Sequence, residues 1–318
     1  MISICISCWN RLEYLKKCIY SILSQDINHD LIELIIVDNC SSDGTQEYLQ
    51  SLMFNFEYHY KIMDHSDYSA MQTLNIAFKM AKGDYILVLD DDVELIQRNS
   101  ISGLLSVMSH SIGIVAANVI TPQESLTQLE FKYPMDQIID IRNLPKESFR
   151  VYDFIGACAL IHRNCFKSIG YYDESFDIYW NEADTALKML YSGYDVVYVP
   201  WITPVHYISL QSRRVSRGWY YFVRNGNTII NRFLPLRSRI ILVPMRSAIL
   251  LIQGLIWFKD VKLICKTFLS CLSSVVNIFY MKDRVFDAED AGNFVSKEIT
   301  NAYSAFHWRK FYEWLFRS

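Results

Sequence analysis

Neither sign of charge prevails in this chain. Its 31 Lys and Arg stand against 34 Asp and Glu, a formal net charge of −3 over 318 residues with the 7 histidines neutral. Nucleic-acid binding has no global electrostatic basis here, and any basic surface must be local. Paired cysteine motifs are also lacking. The eight cysteines (5, 8, 18, 40, 158, 165, 265 and 271) are scattered. Cys5 and Cys8 have CxxC spacing but lie in an apolar run without a second such pair, which argues for buried free thiols in a reducing compartment rather than a zinc site. No basic region precedes the short apolar stretch 2–7, so no signal peptide is expected. A membrane span needs about 18–20 apolar residues in a row. The best stretches, 240–258 and 261–280, are interrupted by Pro244, Arg246 and Gln253, and by Lys262 and Lys266, so no transmembrane helix is expected. Internal repeats and low-complexity segments do not stand out.

What the chain does have is apolar mass: 51% hydrophobic and 14% aromatic residues, enough for a sizeable core in one large domain or two smaller ones. Strand and helix signals alternate through the first part. Strands are expected at 2–7, 31–38, 58–62 and 84–90, with helices at 11–24, 43–53 and 70–82 between them. Continuous apolar strands separated by helices imply a parallel sheet covered on both faces. Further on, 151–161, 195–200 and 202–207 read as strands, and 181–192 and 216–233 as helices. Near Pro235 the composition changes. Residues 235–285 hold Arg237, Arg239, Arg246, Lys259, Lys262, Lys266, Lys282 and Arg284 against only Asp260 and Asp283. Val261, Ile264, Phe268, Leu272, Val275 and Phe279 share one helical face.

The stretch LVLDDDVEL (87–95) concentrates Asp90, Asp91 and Asp92 at the end of an apolar strand. Adjacent carboxylates repel and are costly to desolvate. In parallel sheets ligands bind beyond the carboxyl ends of the strands, so Asp38 and Asp90, each ending a strand, are expected at one crevice. Acids spaced DxD suit Mg²⁺ or Mn²⁺, which take carboxylates together with substrate phosphates. An EF-hand loop is excluded because its sixth position, Leu95 here, must be Gly. A DxD phosphatase, a nucleotide-sugar site and a solvated acidic turn remain as readings of these residues alone.

Further motifs narrow the choice. SCWNRLEYLKKCIYSILSQ (7–25), IIVDNCSSDGT (35–45), LDDDV (89–93), FIGACALIHRNCFKSIGYYDESF (154–176), NEADTALKMLYSGYDVVYVP (181–200), VHY (205–207) and RNGN (224–227) follow one another in that order. Asn75, Ala77, Ala81 and the run Gly83–Tyr85 add to the series. Together they resemble family-two glycosyltransferases of the GT-A fold, in particular the rhamnosyltransferase-like bacterial branch, over about residues 1–230. The resemblance implies an α/β fold, a Rossmann-like mostly parallel sheet with helices on both faces. This GT-A domain would occupy 1–235, with a helical C-terminal region at 236–318.

The resemblance also implies roles. Asp90 and Asp92, with Asp91 beside them, would hold Mg²⁺ or Mn²⁺, and His206 would be a metal ligand or touch phosphate. Asp38 would contact the base or ribose of the donor, the alternative being that it caps the SSDGT turn. Trp9, Asn10 and Arg11 follow the first strand and would line the nucleotide pocket. Glu182 or Asp184 would be the base that takes the acceptor proton; acids stabilising a helix N-terminus are the competing reading. Gly156 and Ala157 are small enough for close approach of a backbone to the acceptor or sugar. Tyr179 and Trp180 either stack on a sugar or belong to the core. Arg213, Arg214 and Arg217 clamp phosphates or form a solvated loop.

The expected reaction is metal-dependent, inverting transfer of a hexosyl or deoxyhexosyl unit from a nucleotide-diphosphate sugar. The acceptor would be a saccharide or lipid-linked saccharide of surface-polysaccharide synthesis in the cytoplasm or on the cytoplasmic face of the membrane. The basic, apolar C-terminal region either docks on an anionic membrane surface or packs as a cap or oligomer contact. A phosphatase or nucleotidyltransferase and a non-catalytic nucleotide-sugar binder are the rivals. No nucleic-acid partner is expected, and the oligomeric state is open.

Overall fold

The computed structural model describes residues 1–122, 146–207 and 215–281. The first part alternates as expected: β1 (Ile2–Cys8), α1 (Leu12–Leu23), β2 (Ile32–Asp38), α2 (Thr45–Ser51), β3 (Glu57–Ile62), α3 (Ala70–Met80) and β4 (Tyr85–Leu89). β2 is buried along its whole length and β1 nearly so. Such runs of Ile, Leu and Val are stable only with apolar cover on both faces. α1 supplies Leu15, Ile19 and Ile22 to that cover. α3 begins at a capping box in which Ser69 and Gln72 exchange side-chain and backbone hydrogen bonds, and it buries Leu74, Ala77 and Phe78.

Then follow β5 (Val93–Glu94), α4 (Ser100–Val107), β6 (Ile112–Ala117), β7 (Phe149–Arg150), β8 (Cys158–His162), α5 (Arg163–Ser168), α6 (Asn181–Tyr191), β9 (Asp195–Val199) and β10 (Val205–His206). The chain ends its described part with α7 (Val215–Phe233), α8 (Leu236–Trp257) and α9 (Val261–Tyr280). The main sheet has the order β3-β2-β1-β4-β8-β6-β9-β7. β3, β2, β1 and β4 are mutually parallel, β8 runs antiparallel between β4 and β6, and β6 and β9 are parallel again. The chain first builds outward from β1 to β2 and β3, then returns to place β4 on the other side of β1. That reversal leaves a crevice at the carboxyl ends of β1 and β4, where ligands bind in sheets of this kind.

The opposite end of the sheet is stapled by the buried Glu33, whose carboxylate accepts from Ser3 Oγ, from Lys82 N at 2.6 Å and from Gly83 N at 3.0 Å. A Cβ on Gly83 would lie 2.7 Å from the Met1 carbonyl oxygen, so the close approach of two backbones requires glycine there.

Several expectations are corrected. The strand expected at 151–161 pairs only from Cys158; residues 151–157 thread beneath the β4–β5 turn, where the Ala157 carbonyl accepts from Asp90 N at 3.0 Å. Residues 95–118, which carry no element expected from periodicity, form α4 and β6. Pro244, Arg246 and Gln253 do not interrupt α8. Pro244 lies on its exposed side, and Arg246 turns inward to α7. Both α8 and α9 are long and apolar enough to cross a membrane, with mean hydropathies of 1.9 and 1.5 over their best windows.

Candidate active site

Asp90, Asp91 and Asp92 form the turn leaving β4, closed by Val93 N donating to the Asp90 carbonyl at 3.1 Å. β5 then pairs antiparallel with β10, setting His206 opposite Val93. This two-stranded pairing brings a residue more than a hundred positions away over the aspartates. His206 Nε2 lies 3.0 Å from Asp92 Oδ1 and 3.8 Å from Asp90 Oδ2. Candidate ligand atoms of Asp90, Asp92 and His206 all fall within 4.8 Å of one another. From the loop after β1, Arg11 Nη1 reaches Asp92 Oδ2 at 2.7 Å and Asp91 Oδ1 at 3.0 Å, while Trp9 N donates to Asp91 Oδ2 at 3.4 Å.

These neighbours decide how each acid titrates. Burial pushes Asp91 up to about 7, Arg11 opposing the rise and the Asp92 and Asp90 charges adding to it. Asp90 is raised by partial loss of solvent around its carboxyl and by repulsion from Asp92 and Glu182, against the pull of His206. Burial also acts against ionisation of Asp92, but the hydrogen bond and charge of His206, with Arg11, outweigh it and hold the carboxyl below its usual range. The cleft thus keeps one firmly ionised, fully buried carboxylate beside a second, Asp90, whose side chain is 40% exposed. Two carboxylates and an imidazole, converging with one oxygen donor open to the cleft, fit Mg²⁺ or Mn²⁺ and a phosphate-bearing ligand.

The other expected residues divide. Asn10, at φ 52°, braces the loop after β2: its N donates to Ser41 Oγ and its Oδ1 accepts from Ser42 N, both at 2.8 Å. Asp38 is fully buried, and its Oδ2 accepts from Ser41 N at 2.9 Å, the arrangement of the turn-capping alternative.

Glu182 and Asp184 part company because residues two apart on a helix point in nearly opposite directions. Asp184 is fully buried between α6 and α7, paired with Arg232 and with Lys188 Nζ at 2.6 Å. Glu182 faces Gly156 on the other side of α6: a Cβ on Gly156 would lie 3.0 Å from Glu182 Oε1 and 3.3 Å from the Tyr172 hydroxyl. That side of α6 lies toward the acidic turn, since Gly156 adjoins Ala157, whose carbonyl accepts from Asp90 N at 3.0 Å. Tyr172 escaped the sequence reading. Its hydroxyl is buried beside Glu182 and has no hydrogen-bond partner among the described residues. Periodicity cannot distinguish such a phenol from a core tyrosine.

RNGN (224–227) acts through the loop that precedes α6. Tyr179 and Trp180 have φ of 63° and 68°, a conformation side chains rarely adopt. Asn225 Nδ2 holds them there, donating to the carbonyls of Phe176, Ile178 and Tyr179 at 2.7–2.9 Å. Trp180 is itself pinned, its Nε1 donating to the Phe222 carbonyl at 3.1 Å with the Arg246 guanidinium 5.5 Å from its ring. Arg213, Arg214 and the Arg217 side chain lie outside the described residues.

A mostly parallel sheet with a reversal at β1 and β4, an acidic turn at that reversal and an added helical region define the GT-A class of nucleotide-diphospho-sugar transferases. The Glycosyl transferase family 2 model matches residues 3–170, more than half of the chain, and the chain belongs to that family. Glycosyltransferase GlyG of Streptococcus pneumoniae is 29% identical over 126 residues, covering 39% of this chain and 41% of that protein. The chain thus matches less than half the length of this curated relative. The crystal structure of S. aureus TarS 1-349 in complex with UDP-GlcNAc has a TM-score of 0.64 at 13% identity, covering 97% of this chain and 91% of that one. Mannosyltransferase PcManGT from Pyrobaculum calidifontis, in complex with GDP-Man and Mn²⁺, has a TM-score of 0.58 at 15% identity, covering 100% and 87%. At these identities the structural likeness establishes the fold alone.

Proposed function

We propose that this chain is a metal-dependent, inverting glycosyltransferase. It moves a hexosyl or deoxyhexosyl unit from a nucleotide-diphosphate sugar to a saccharide or lipid-linked saccharide acceptor on the cytoplasmic side of surface-polysaccharide synthesis. The observation that carries this reading is the convergence of Asp90, Asp92 and His206 at the sheet's reversal, with Glu182 against Gly156, the neighbour of the Ala157 that bonds Asp90 N. Asp90, Asp92 and His206 would hold Mg²⁺ or Mn²⁺. The ion, when bound, offsets the negative charge of the departing diphosphate. Arg11, now on Asp91 and Asp92, is a nearby cation available to the phosphates.

Glu182 takes the proton of the acceptor hydroxyl as its oxygen bonds to the anomeric carbon. The bond from that carbon to the diphosphate oxygen breaks on the opposite face, which inverts the configuration. Asp184 serves α6 from behind by fixing its first turn to α7. In this reading Asp38 and Asn10 shape the nucleotide pocket chiefly through the loop after β2. The test is donor turnover against a panel of nucleotide sugars with and without Mn²⁺, alongside Asp92→Ala. Metal-stimulated hydrolysis or transfer of one donor, abolished in a folded Asp92→Ala protein, supports the reading. Unchanged turnover in that variant overturns it.

A further inference from the structure

α9 is folded inside out for a helix in water. Its side chains turned inward are Leu263, Thr267, Cys271, Ser274 and Ile278, whereas its largest apolar residues, among them Phe268, Leu269, Leu272 and Phe279, are exposed. Water drives the apolar stripe of a helix toward the protein core. Here most of the large apolar residues face out, and between Leu263 and Ile278 the inner seam is made of the small or hydroxyl-bearing Thr267, Cys271 and Ser274. That is how helices pack when the medium around them is as apolar as their side chains.

α8 shows the same reversal. Every exposed residue from Ile240 to Trp257 is apolar, a stripe about 26 Å long at 1.5 Å per residue. Of its three arginines, Arg237 is exposed in the first turn, ahead of this stripe, and Arg239 and Arg246 are turned inward. Arg246 donates to the carbonyls of Val223 and Phe222 at 2.8 Å and to Asn227 Oδ1 at 3.0 Å, and Arg239 donates to the Ile278 carbonyl at 3.1 Å. Asn227 reaches Ser247 and Asn231 reaches the Ser274 carbonyl in the same seam. A Cβ on Gly226 would collide with the Arg246 guanidinium, so that glycine makes room for the inward arginine.

We propose that the outer face of the α8–α9 hairpin docks into one leaflet of an anionic phospholipid bilayer, lying in its plane with the apolar stripe at the acyl boundary. Charge and ring placement favour lipid over a protein partner. The connection between the helices and the first turns of α9 expose Lys259, Lys262 and Lys266, the last over the Tyr220 ring, against a single acid, Asp260, which is engaged as the N-cap of α9 through Leu263 N. Trp257 is 61% exposed beside them, a ring suited to the headgroup level. The hairpin lies in the plane rather than crossing it because α7 packs along both helices. α7 carries Arg224, bonded to the Ser175 carbonyl, and Arg232, bonded to Asp173 and Asp184. A crossing hairpin would draw that charged helix and the catalytic body with it into the acyl region. Docking stands on these observations alone. Its consequence, that the acceptor arrives carried on a lipid, rests on the transferase reading.

The test uses the full chain and sedimentation with vesicles of phosphatidylcholine alone or with about 30% phosphatidylglycerol. The expected result is association with the anionic vesicles, weakened at about 0.5 M salt. The double variant Ile256→Glu/Leu272→Glu should bind them about a hundredfold less, because each carboxylate would enter the apolar boundary. Alkaline carbonate should release the chain from membranes, as it does proteins that do not span them. Four results overturn the proposal: no association with anionic vesicles at low salt, equal binding to neutral vesicles, undiminished binding by the double variant, or resistance to carbonate. Light scattering separates the remaining occupant. A dimer that the double variant converts to monomers, without vesicle binding by the parent, assigns the face to a second copy of this chain and also overturns docking. Donor hydrolysis in solution is read in parallel on both proteins. Its absence in both removes the transferase reading while leaving the vesicle result to decide docking.

Discussion

Asp92 is the residue on which the site's electrostatics turn. It is fully buried, yet it stays ionised because His206 and Arg11 flank it. Asp91 is in the opposite position, buried and held up to about 7. A carboxyl whose folded pKa exceeds its unfolded value costs stability as the pH rises between the two, and the loss is complete above the folded value. Stability without divalent ion should therefore fall between about pH 4 and pH 7 through Asp91, by about 2–4 kcal/mol. Urea unfolding of the parent and Asp91→Asn at pH 5 and pH 8 checks this; the variant should lose less stability across that interval. The base assignment has its own signature. Glu182→Gln should lower kcat by about 10²–10⁴-fold with the fold intact. Asp184→Asn should instead lower stability by about 2–4 kcal/mol, because it weakens a buried ionic network with Arg232 and Lys188. Kinetics and urea unfolding on the two variants separate a base from a brace. Spacing could not separate them, since both acids fall in the first turn of one helix. Their opposite directions become informative only once α7 stands on one side and the cleft on the other.

At the scale of elements, the turn before α6 depends on a helix some forty residues downstream. The Asn225 amide satisfies three carbonyls at once and so holds Tyr179 and Trp180 in left-handed conformations. Asn225→Ala should cost about 2–4 kcal/mol, measured by thermal or urea unfolding, because buried carbonyls lose their donor. It should also reduce kcat by releasing the first turn of α6, which carries Glu182. The RNGN motif was legible as a marker, but its work was not, because a hydrogen bond across forty residues leaves no periodic trace. By contrast β1, β2, β4 and the helices between them could be read directly. Long apolar runs and 3.6-residue spacing state both the element and its burial. β5, β7 and β10, each of two residues, are too short for any period to appear, and β10 is the element that delivers His206.

Across the whole molecule, the central sheet and the C-terminal hairpin distribute their apolar residues differently. The sheet hides its apolar residues, whereas α8 and α9 bury a few (Leu242, Val243, Leu263, Ile278), expose many more, and hide Arg239, Arg246, Ser247, Thr267 and Ser274. Ile256, at 69% exposed, should therefore tolerate Glu with stability changed by less than about 0.5 kcal/mol, as measured by thermal unfolding in lipid-free buffer. A core position of equal apolarity would not. The sequence by itself determined the α/β alternation, the acidic turn ending a strand and the family resemblance, because each is written in neighbouring residues or in their order. Only the tertiary structure decided that His206 and Arg11 share Asp92, that Glu182 and not Asp184 faces the cleft, and that Arg239 and Arg246 point inward. These are matters of which side of an element meets which neighbour, and direction in space is set by packing between segments distant in the chain.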